Sequence, residues 1–191
     1  MLRGNQSPEF LAISPRGKVP CLETEQGFIN ETNVILEYIE ETQGGKPLLP
    51  SDPYERAQVR ALTKEIELYI ELPARTCYPE VFFGGKVDPA IREKAREELL
   101  AGVAALRRHG SFAPYVAGSE MTIADLMFLY SIDLARAVGK KLFGVDLLGD
   151  WPEAKALLDL LAQNPHVQRI EADKNAEMAA FIAAMSGKAK G

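Results

Sequence analysis

One short stretch near the N-terminus constrains this 191-residue chain more than any other feature. Gly17-Lys18-Val19-Pro20 leads into the apolar pair Cys21-Leu22, and Glu31-Thr32 opens an apolar helix eleven residues after the proline. A proline that closes a turn before a strand exposes a backbone edge, and a helix N-terminus presents unpaired N–H groups at the positive end of the helix dipole. Together they predict a cradle for a small peptide that carries carboxylates and an amine.

The surrounding residues predict a small α/β unit. Ser7-Pro8 pairs a capping side chain with a proline at the first helical position, which predicts a brief helix. Residues 19–25 have the pattern of a strand, and Gln26-Gly27 turns the chain into a second strand around Phe28. From residue 32 to about residue 41 the apolar spacing becomes helical. We therefore expect helix, two-stranded hairpin and helix in this order.

A loop rich in helix breakers follows this unit. Gly44-Gly45-Lys46-Pro47 and Pro50-Ser51-Asp52 interrupt the periodic patterns. We expect residues 1–46 to form one domain, residues 47–52 to be a linker and residues 53–191 to form a second domain.

The second domain is predicted to be all-helical, with about five helices. Three helix starts pair a capping side chain with a proline whose missing N–H costs nothing at that position: Asp52-Pro53, Asp88-Pro89 and Asn164-Pro165. Asp150 and Glu153 have the spacing of a capping box, which predicts a fourth start. Apolar residues three or four positions apart follow these starts, as expected for helices that bury one face.

Composition excludes several classes of protein. The net charge of −5 argues against a nucleic-acid partner, and no apolar run approaches the roughly 20 residues needed to span a bilayer. No secretory signal pattern is found at the start of the sequence. Two cysteines are too few for a disulfide scaffold and suit a reducing compartment. We expect a soluble cytoplasmic protein without a membrane partner.

The cysteines and histidines predict neither a nucleophile nor a metal site. Cys21 and Cys77 have no nearby histidine in sequence to lower the pKa of the thiol, so both are interpreted as small buried residues, with Cys21 directed into the core. His109 and His166 lie far apart without the spacing of metal ligands or of a hydrolase triad.

Each half of the predicted cradle also has a purely structural interpretation. Most peptide bonds before proline are trans, which favours a trans Val19–Pro20 bond, whereas a cis bond would turn the amide and carbonyl of Val19 toward a ligand. Glu31-Thr32 is explained by helix capping alone. In the ligand interpretation, the Thr32 hydroxyl and the helix terminus bind a carboxylate while Glu31 binds an ammonium group. Lys18, or less readily Arg16, is either a solvated loop cation or the partner of a second carboxylate.

A second motif lies in the helical half. Thr122-Ile123-Ala124-Asp125 has the pattern of a capping box, in which Asp125 reaches back to the Thr122 backbone. Gly118 precedes this motif. Its expected role is to satisfy the donors of a buried helix start.

With these motifs the chain resembles the glutathione transferase family over almost its whole length. The resemblance implies a thioredoxin-like N-terminal domain followed by an all-α domain, a cis Val19–Pro20 bond, glutathione as co-substrate, no metal, and a homodimer. It assigns glutathione binding to five positions: Lys18, Val19, Pro20, Glu31 and Thr32. It also implies that a small hydrophobic electrophile lies against the first long helix, with Ile66, Tyr69 and Tyr78 as the expected wall.

The family's thioredoxin-like domain begins with a strand-helix-strand unit of about 30 residues that carries the thiol-activating Ser, Tyr or Cys. Only the second half of that domain is expected here, so the catalytic residue is left unassigned. Three explanations remain open: an earlier true start, a truly shortened and non-catalytic protein, or a strand edge covered by a dimer partner. We favour the first.

Three functions follow from the resemblance. The first is a transferase that conjugates the glutathione thiolate to an electrophile, as in detoxification. The second is a non-catalytic binding module, and the third is a glutathione-dependent isomerase or peroxidase. Turnover of chlorodinitrobenzene separates the first from the second.

Overall fold

The structure is a computed structural model that describes the backbone of residues 6–188 and the side chains of residues 6–177. Its N-terminal part is a helix, an antiparallel hairpin and a second helix, as predicted. The bounds are α1 Pro8–Ile13, β1 Cys21–Thr24, β2 Gly27–Asn30 and α2 Thr32–Gln43. Ser7 caps α1 by accepting a hydrogen bond from the Phe10 amide at 3.2 Å. The described residues thus form the second half of a thioredoxin-like domain.

The remaining described residues are helical, and their elements run in this order: α3 Pro53–Ile66, a π-helical segment Glu67–Glu71, α4 Leu72–Thr76, α5 Tyr78–Phe82, α6 Pro89–His109, α7 Ile123–Val138, a π-helical turn Gly139–Phe143, α8 Pro152–Leu161 and α9 Pro165–Lys188. Three predicted starts are confirmed, because Asp52, Asp88 and Asn164 each accept a backbone N–H of the first turn. The predicted fold class, a small α/β unit followed by an all-α domain, is confirmed.

The predicted capping box before α8 is wrong. The residue before α8 is Trp151, and α8 starts without a side-chain cap. Asp150 instead lies 2.9 Å from Nη1 of Arg107 on α6, and this hydrogen bond holds the pKa of the Asp150 carboxyl below its ordinary value. Asp150 therefore forms a long-range ion pair instead of the local cap that the sequence pattern predicted.

The core lies between α3, the π-helical segment, α6 and α7. Its fully buried large side chains include Ile66, Ile70, Leu99, Leu106 and Phe128. Trp151 and Phe112 extend this core, and their ring centroids lie 4.6 Å apart in an edge-on arrangement. Such burial supplies most of the stability of helices like these.

The predicted capping box of α7 is present and buried. Asp125 has no exposed surface and accepts hydrogen bonds from the Thr122 amide at 2.7 Å and the Val116 amide at 2.8 Å. Burial raises the pKa of the Asp125 carboxyl, although these hydrogen bonds oppose the rise. The Ile123 amide donates to the Leu48 carbonyl at 3.1 Å, which ties the loop after α2 to the start of α7.

A single glycine sets the distance between α6 and the π-helical segment. Gly102 is buried, and a Cβ built there would lie 2.1 Å from the carbonyl oxygen of Tyr69. That distance is far below van der Waals contact, so only glycine lets the two backbones approach this closely. The position of the segment Glu67–Glu71 therefore depends on residue 102.

We expect Gly102→Ala to lower the free energy of unfolding by about 2 kcal/mol, because backbone must move to accept the new methyl group. Urea denaturation followed by circular dichroism measures the change. Ala101→Ser, at the exposed neighbouring position, is the control and is expected to stay within about 0.5 kcal/mol of the parent. Helix propensity alone would make Gly102→Ala more stable by up to about 1 kcal/mol, and a stabilised variant would contradict the close approach.

Candidate functional site

The hairpin brings the two halves of the predicted cradle together. Cys21 pairs with Asn30 at the open end of the β1–β2 ladder. Residues 18–20 precede β1, and residues 31–32 follow β2 at the same end of the hairpin. Directly opposed residues in antiparallel strands have Cα atoms about 4.5–5.5 Å apart. Lys18, Val19, Pro20, Glu31 and Thr32 therefore lie at one end of the hairpin.

The backbone at Val19 is open to solvent. The Val19–Pro20 peptide bond is cis, as the resemblance implies. The Val19 residue is 67% exposed, and neither its amide nor its carbonyl makes a hydrogen bond with the backbone and side chains that the structure describes. A donor and an acceptor are thus available to an extended peptide, in the manner of an added strand.

Ser14 holds this segment in place, and the sequence analysis missed it. Ser14 is buried, and its hydroxyl donates to the Lys18 carbonyl at 2.7 Å. The Lys18 amide in turn donates to the Ser14 hydroxyl oxygen at 3.0 Å. Both backbone groups of Lys18 are satisfied by one side chain. A serine four residues before a lysine is too common to signal such a contact.

The start of α2 carries strained backbone and free donors. Glu31 has φ +72°, a conformation that costs a non-glycine residue of order 1–3 kcal/mol and recurs at ligand sites. Among the described residues, no acceptor meets the amides of Thr32, Asn33 and Val34, and no cap hydrogen bond is made by the Glu31 side chain. A helix start of this kind is suited to an anionic group.

The charges at the site complement a zwitterionic peptide. Lys18 and Glu31 are exposed, and neither forms an ion pair with another side chain in the described part of the chain. The Thr32 hydroxyl likewise has no hydrogen-bond partner among the described residues. An ammonium group and two carboxylates on one small ligand would find an opposite charge or a donor at each of these positions.

A buried amide connects this site to the helical bundle. Asn33 Nδ2, on the first turn of α2, donates to Glu67 Oε2 at 2.7 Å, and Lys64 Nζ lies 2.6 Å from the same oxygen. One turn further along α2, Glu37 accepts Arg60 Nε at 3.0 Å. These contacts dock α2 against α3 and the π-helical segment, and neither was predicted from the sequence.

The three residues predicted to line an electrophile pocket lie in different environments. Ile66 has no exposed surface and belongs to the core, so it has no surface to offer a ligand. Tyr69 is 52% exposed and lies two residues beyond Glu67 on the π-helical segment. Tyr78 is partly buried, and burial raises the pKa of its phenol to about 12.

One prediction about the cysteines is wrong. Cys77 is buried as expected, and burial raises the pKa of its thiol. Cys21, which we expected to point into the core, is only partly buried, and its sulfur lies 3.0 Å from Asn30 Oδ1 and 3.3 Å from the Lys18 carbonyl. Its thiol donates to polar groups at the hairpin end.

A groove of about 920 Å³ lies elsewhere in the molecule. Its lining includes residues 46–51, the first turns of α3, His109 and residues 117–122, and none of the predicted site residues borders it. The described residues contain no group of three His, Cys, Asp or Glu side chains arranged to hold a metal. None of the described helices combines the length and apolar character required to cross a bilayer.

We expect Ser14→Ala to weaken binding of glutathione, the ligand that the resemblance implies, by about tenfold. The Lys18 amide makes a partly buried hydrogen bond and loses its partner, and leaving such a donor unsatisfied costs about 1–3 kcal/mol. Titration calorimetry measures the affinity. The control is Ser7→Ala, which removes the cap of α1 and leaves Lys18 held. Equal weakening by both substitutions would show a general loss of stability instead of a loss at Lys18.

Two family models match the chain. One is described as Glutathione S-transferase, N-terminal domain, and matches residues 1–47; the other is described as Glutathione S-transferase, C-terminal domain, and matches residues 89–169. A curated glutathione S-transferase from Pseudomonas putida is 65% identical over 179 residues, which cover 94% of this chain and 81% of that protein.

Two further proteins are similar over shorter or more divergent stretches. A solved structure of maleylacetoacetate isomerase from Methylobacterium extorquens AM1, with bound malonate and glutathione, has a TM-score of 0.63 and 28% identity, covering 86% of this chain and 78% of that one. Elongation factor 1-gamma 3 from Oryza sativa subsp. japonica is 31% identical over 127 residues, which cover 64% of this chain and 30% of that protein. With the matches to both family models and the 65% identical relative, the chain belongs to the glutathione transferase family.

Proposed function

We propose that this chain is an enzyme that conjugates the thiolate of glutathione to a small hydrophobic electrophile. The sulfur forms a bond to the electrophilic carbon, a leaving group such as chloride departs with its electron pair, and the thiol proton passes to solvent. One observation carries the proposal: the open backbone of Val19 lies at the same hairpin end as the strained, uncapped start of α2. We place the reaction in the cytoplasm, as a detoxification.

Each part of glutathione then has a partner. The Val19 amide and carbonyl pair with the tripeptide backbone where Pro20 opens the strand. Thr32 and the first amides of α2 hold the γ-glutamyl carboxylate, and Glu31 holds the ammonium group. Lys18 binds the glycine carboxylate. In this arrangement the ligand satisfies donors and acceptors that the described protein leaves open.

The electrophile lies along the helical run from the π-helical segment to α5. Tyr69 and Tyr78 contribute to its wall, and Ile66 is omitted because it is buried in the core. We assign no described residue the role of activating the thiol. The proposal therefore concerns how the two substrates are held.

We further propose that residues 1–46 form the glutathione-binding domain, that residues 47–52 are the linker, and that residues 53–191 form the helical domain. The match of the N-terminal family model to residues 1–47 supports this division.

A non-catalytic binding module is the second candidate. The relative named elongation factor 1-gamma 3, at 31% identity over 127 residues, favours it. Such a module would bind a partner through the surface of its helical domain and would not catalyse the conjugation of glutathione. A glutathione-dependent isomerase, suggested by the similar maleylacetoacetate isomerase, would use the same glutathione site.

The activity is tested with glutathione and 1-chloro-2,4-dinitrobenzene. We expect turnover by the parent, and about a tenfold or larger rise in the glutathione Kd for Thr32→Ala, because a hydrogen bond to a charged group contributes about 1.5–3 kcal/mol. Thr32→Ser keeps the hydroxyl and serves as the matched control. Binding without turnover would favour the module, and an unchanged Kd in Thr32→Ala would remove the site assignment.

We also propose that the chain forms a homodimer through the exposed side of the π-helical segment and α4. Leu68 and Leu72 lie four positions apart, so they share one helical face, and they are 42% and 43% exposed. A second copy of the chain would bury this row.

Replacing both leucines with glutamate is expected to convert the dimer into a monomer, because two charges on each protomer would be buried in the interface. Sedimentation equilibrium gives the mass. Ile170→Glu, at an equally exposed position on α9, is the control and is expected to stay dimeric. A monomeric parent would contradict the proposal.

A further inference from the structure

A cluster of aromatic rings with one cation lies at the end of α5. The Tyr78 and Phe82 ring centroids are 5.2 Å apart in an edge-on arrangement, and those of Phe82 and Phe83 are 6.5 Å apart. Nζ of Lys141, from the π-helical turn after α7, lies 5.5 Å from the centroid of the Phe82 ring. Phe83 is 72% exposed, so this aromatic–cation cluster faces solvent.

The positive charge of Lys141 is not neutralised by the described protein. Its ammonium contacts the Val81 carbonyl at 3.5 Å and forms no ion pair with a described carboxylate. The carboxylates of the adjoining elements are already engaged: Glu71 lies 2.6 Å from Arg75, and Glu80 lies 3.1 Å from Arg92. The cluster therefore has a net positive charge beside its aromatic surface, in a chain whose net charge is −5.

Tyr78 adds an unused donor to this cluster. Its hydroxyl oxygen is buried and has no hydrogen-bond partner among the described residues. A phenol keeps its proton at neutral pH, and burial, which raises the pKa of Tyr78 to about 12, only strengthens this. A buried phenol normally meets an acceptor, and this one meets none among the described residues, so the surface that the cluster offers to a ligand comes from the exposed rings of Phe82 and Phe83.

We propose that the aromatic–cation cluster selects electrophiles that are flat aromatic rings bearing a carboxylate. The substrate ring packs against Phe82 and Phe83, and its carboxylate pairs with the Lys141 ammonium. This inference rests on the proposed transferase function and specifies the substrate class of its electrophile site, where Tyr78 was already placed. In the conjugation, the glutathione sulfur bonds to a ring carbon and chloride leaves with the bonding pair, while the carboxylate remains unchanged.

The test compares 4-chloro-3,5-dinitrobenzoate with its methyl ester. The two compounds share ring, leaving group and shape, and they differ in the negative charge. Each kcat/KM is divided by the rate constant for the uncatalysed reaction with glutathione, which removes the difference in intrinsic reactivity. We expect the parent to favour the carboxylate by about tenfold, the size expected for one charge-assisted contact.

Three variants locate the preference. Lys141→Met is expected to lower the normalised kcat/KM for the carboxylate by about tenfold, mainly through KM, and to leave the ester within about twofold. Lys141→Arg keeps the charge and is expected to retain the preference. Lys94→Met, which removes an exposed lysine on α6, controls for net charge and should change neither substrate.

The outcomes separate the two proposals. Turnover of both substrates without a preference, or an equal effect of Lys141→Met on both, would overturn the substrate-class inference and leave the transferase function standing. No turnover of either substrate, or of chlorodinitrobenzene, by a parent that binds glutathione would overturn the transferase function and the inference with it.

Discussion

The ligand site depends on the hydrogen bond between Asn33 and Glu67. A two-stranded hairpin is only marginally stable in water, and the described hairpin has no third strand. Asn33 donates to Glu67 at 2.7 Å and joins the first turn of α2 to the helical bundle. Because α2 begins directly after β2, this contact also positions Glu31 and Thr32. The bundle thus supplies the rigidity that the sheet lacks.

Close helix packing in turn positions Glu67. The π-helical segment that carries it lies against α6 at Gly102, where backbone approaches backbone without an intervening side chain. Tyr69 belongs to the same segment and is half exposed. One short segment therefore holds both Glu67, which contacts Asn33 at the start of α2, and Tyr69, which we propose as part of the electrophile wall. A disturbance at residue 102 should reach both sides of the site because packed cores transmit strain.

The two ends of the site use different physics. At the hairpin end, unpaired amides, the strained backbone of Glu31 and opposite charges recognise a polar tripeptide. At the end of α5, exposed rings and the ammonium group of Lys141 offer apolar surface with one charge. In the function proposed above, glutathione binding relies on directional hydrogen bonds, and electrophile binding relies on packing and one cation. Such a division lets one co-substrate stay fixed while the other varies.

The sequence by itself determined the local elements: the caps at Ser7, Asp52 and Asn164, the hairpin, the buried box at Thr122 and Asp125, and the motifs that identify the family. These depend on residues a few positions apart, whose pattern can be recognised in the sequence even though packing stabilises the elements that they form. Only the tertiary structure decided that Asp150 pairs with Arg107, that Ile66 is buried in the core, and that Asn33 meets Glu67. Those outcomes depend on partners distant in sequence, because burial and long-range polar contacts exist only once the helices have packed.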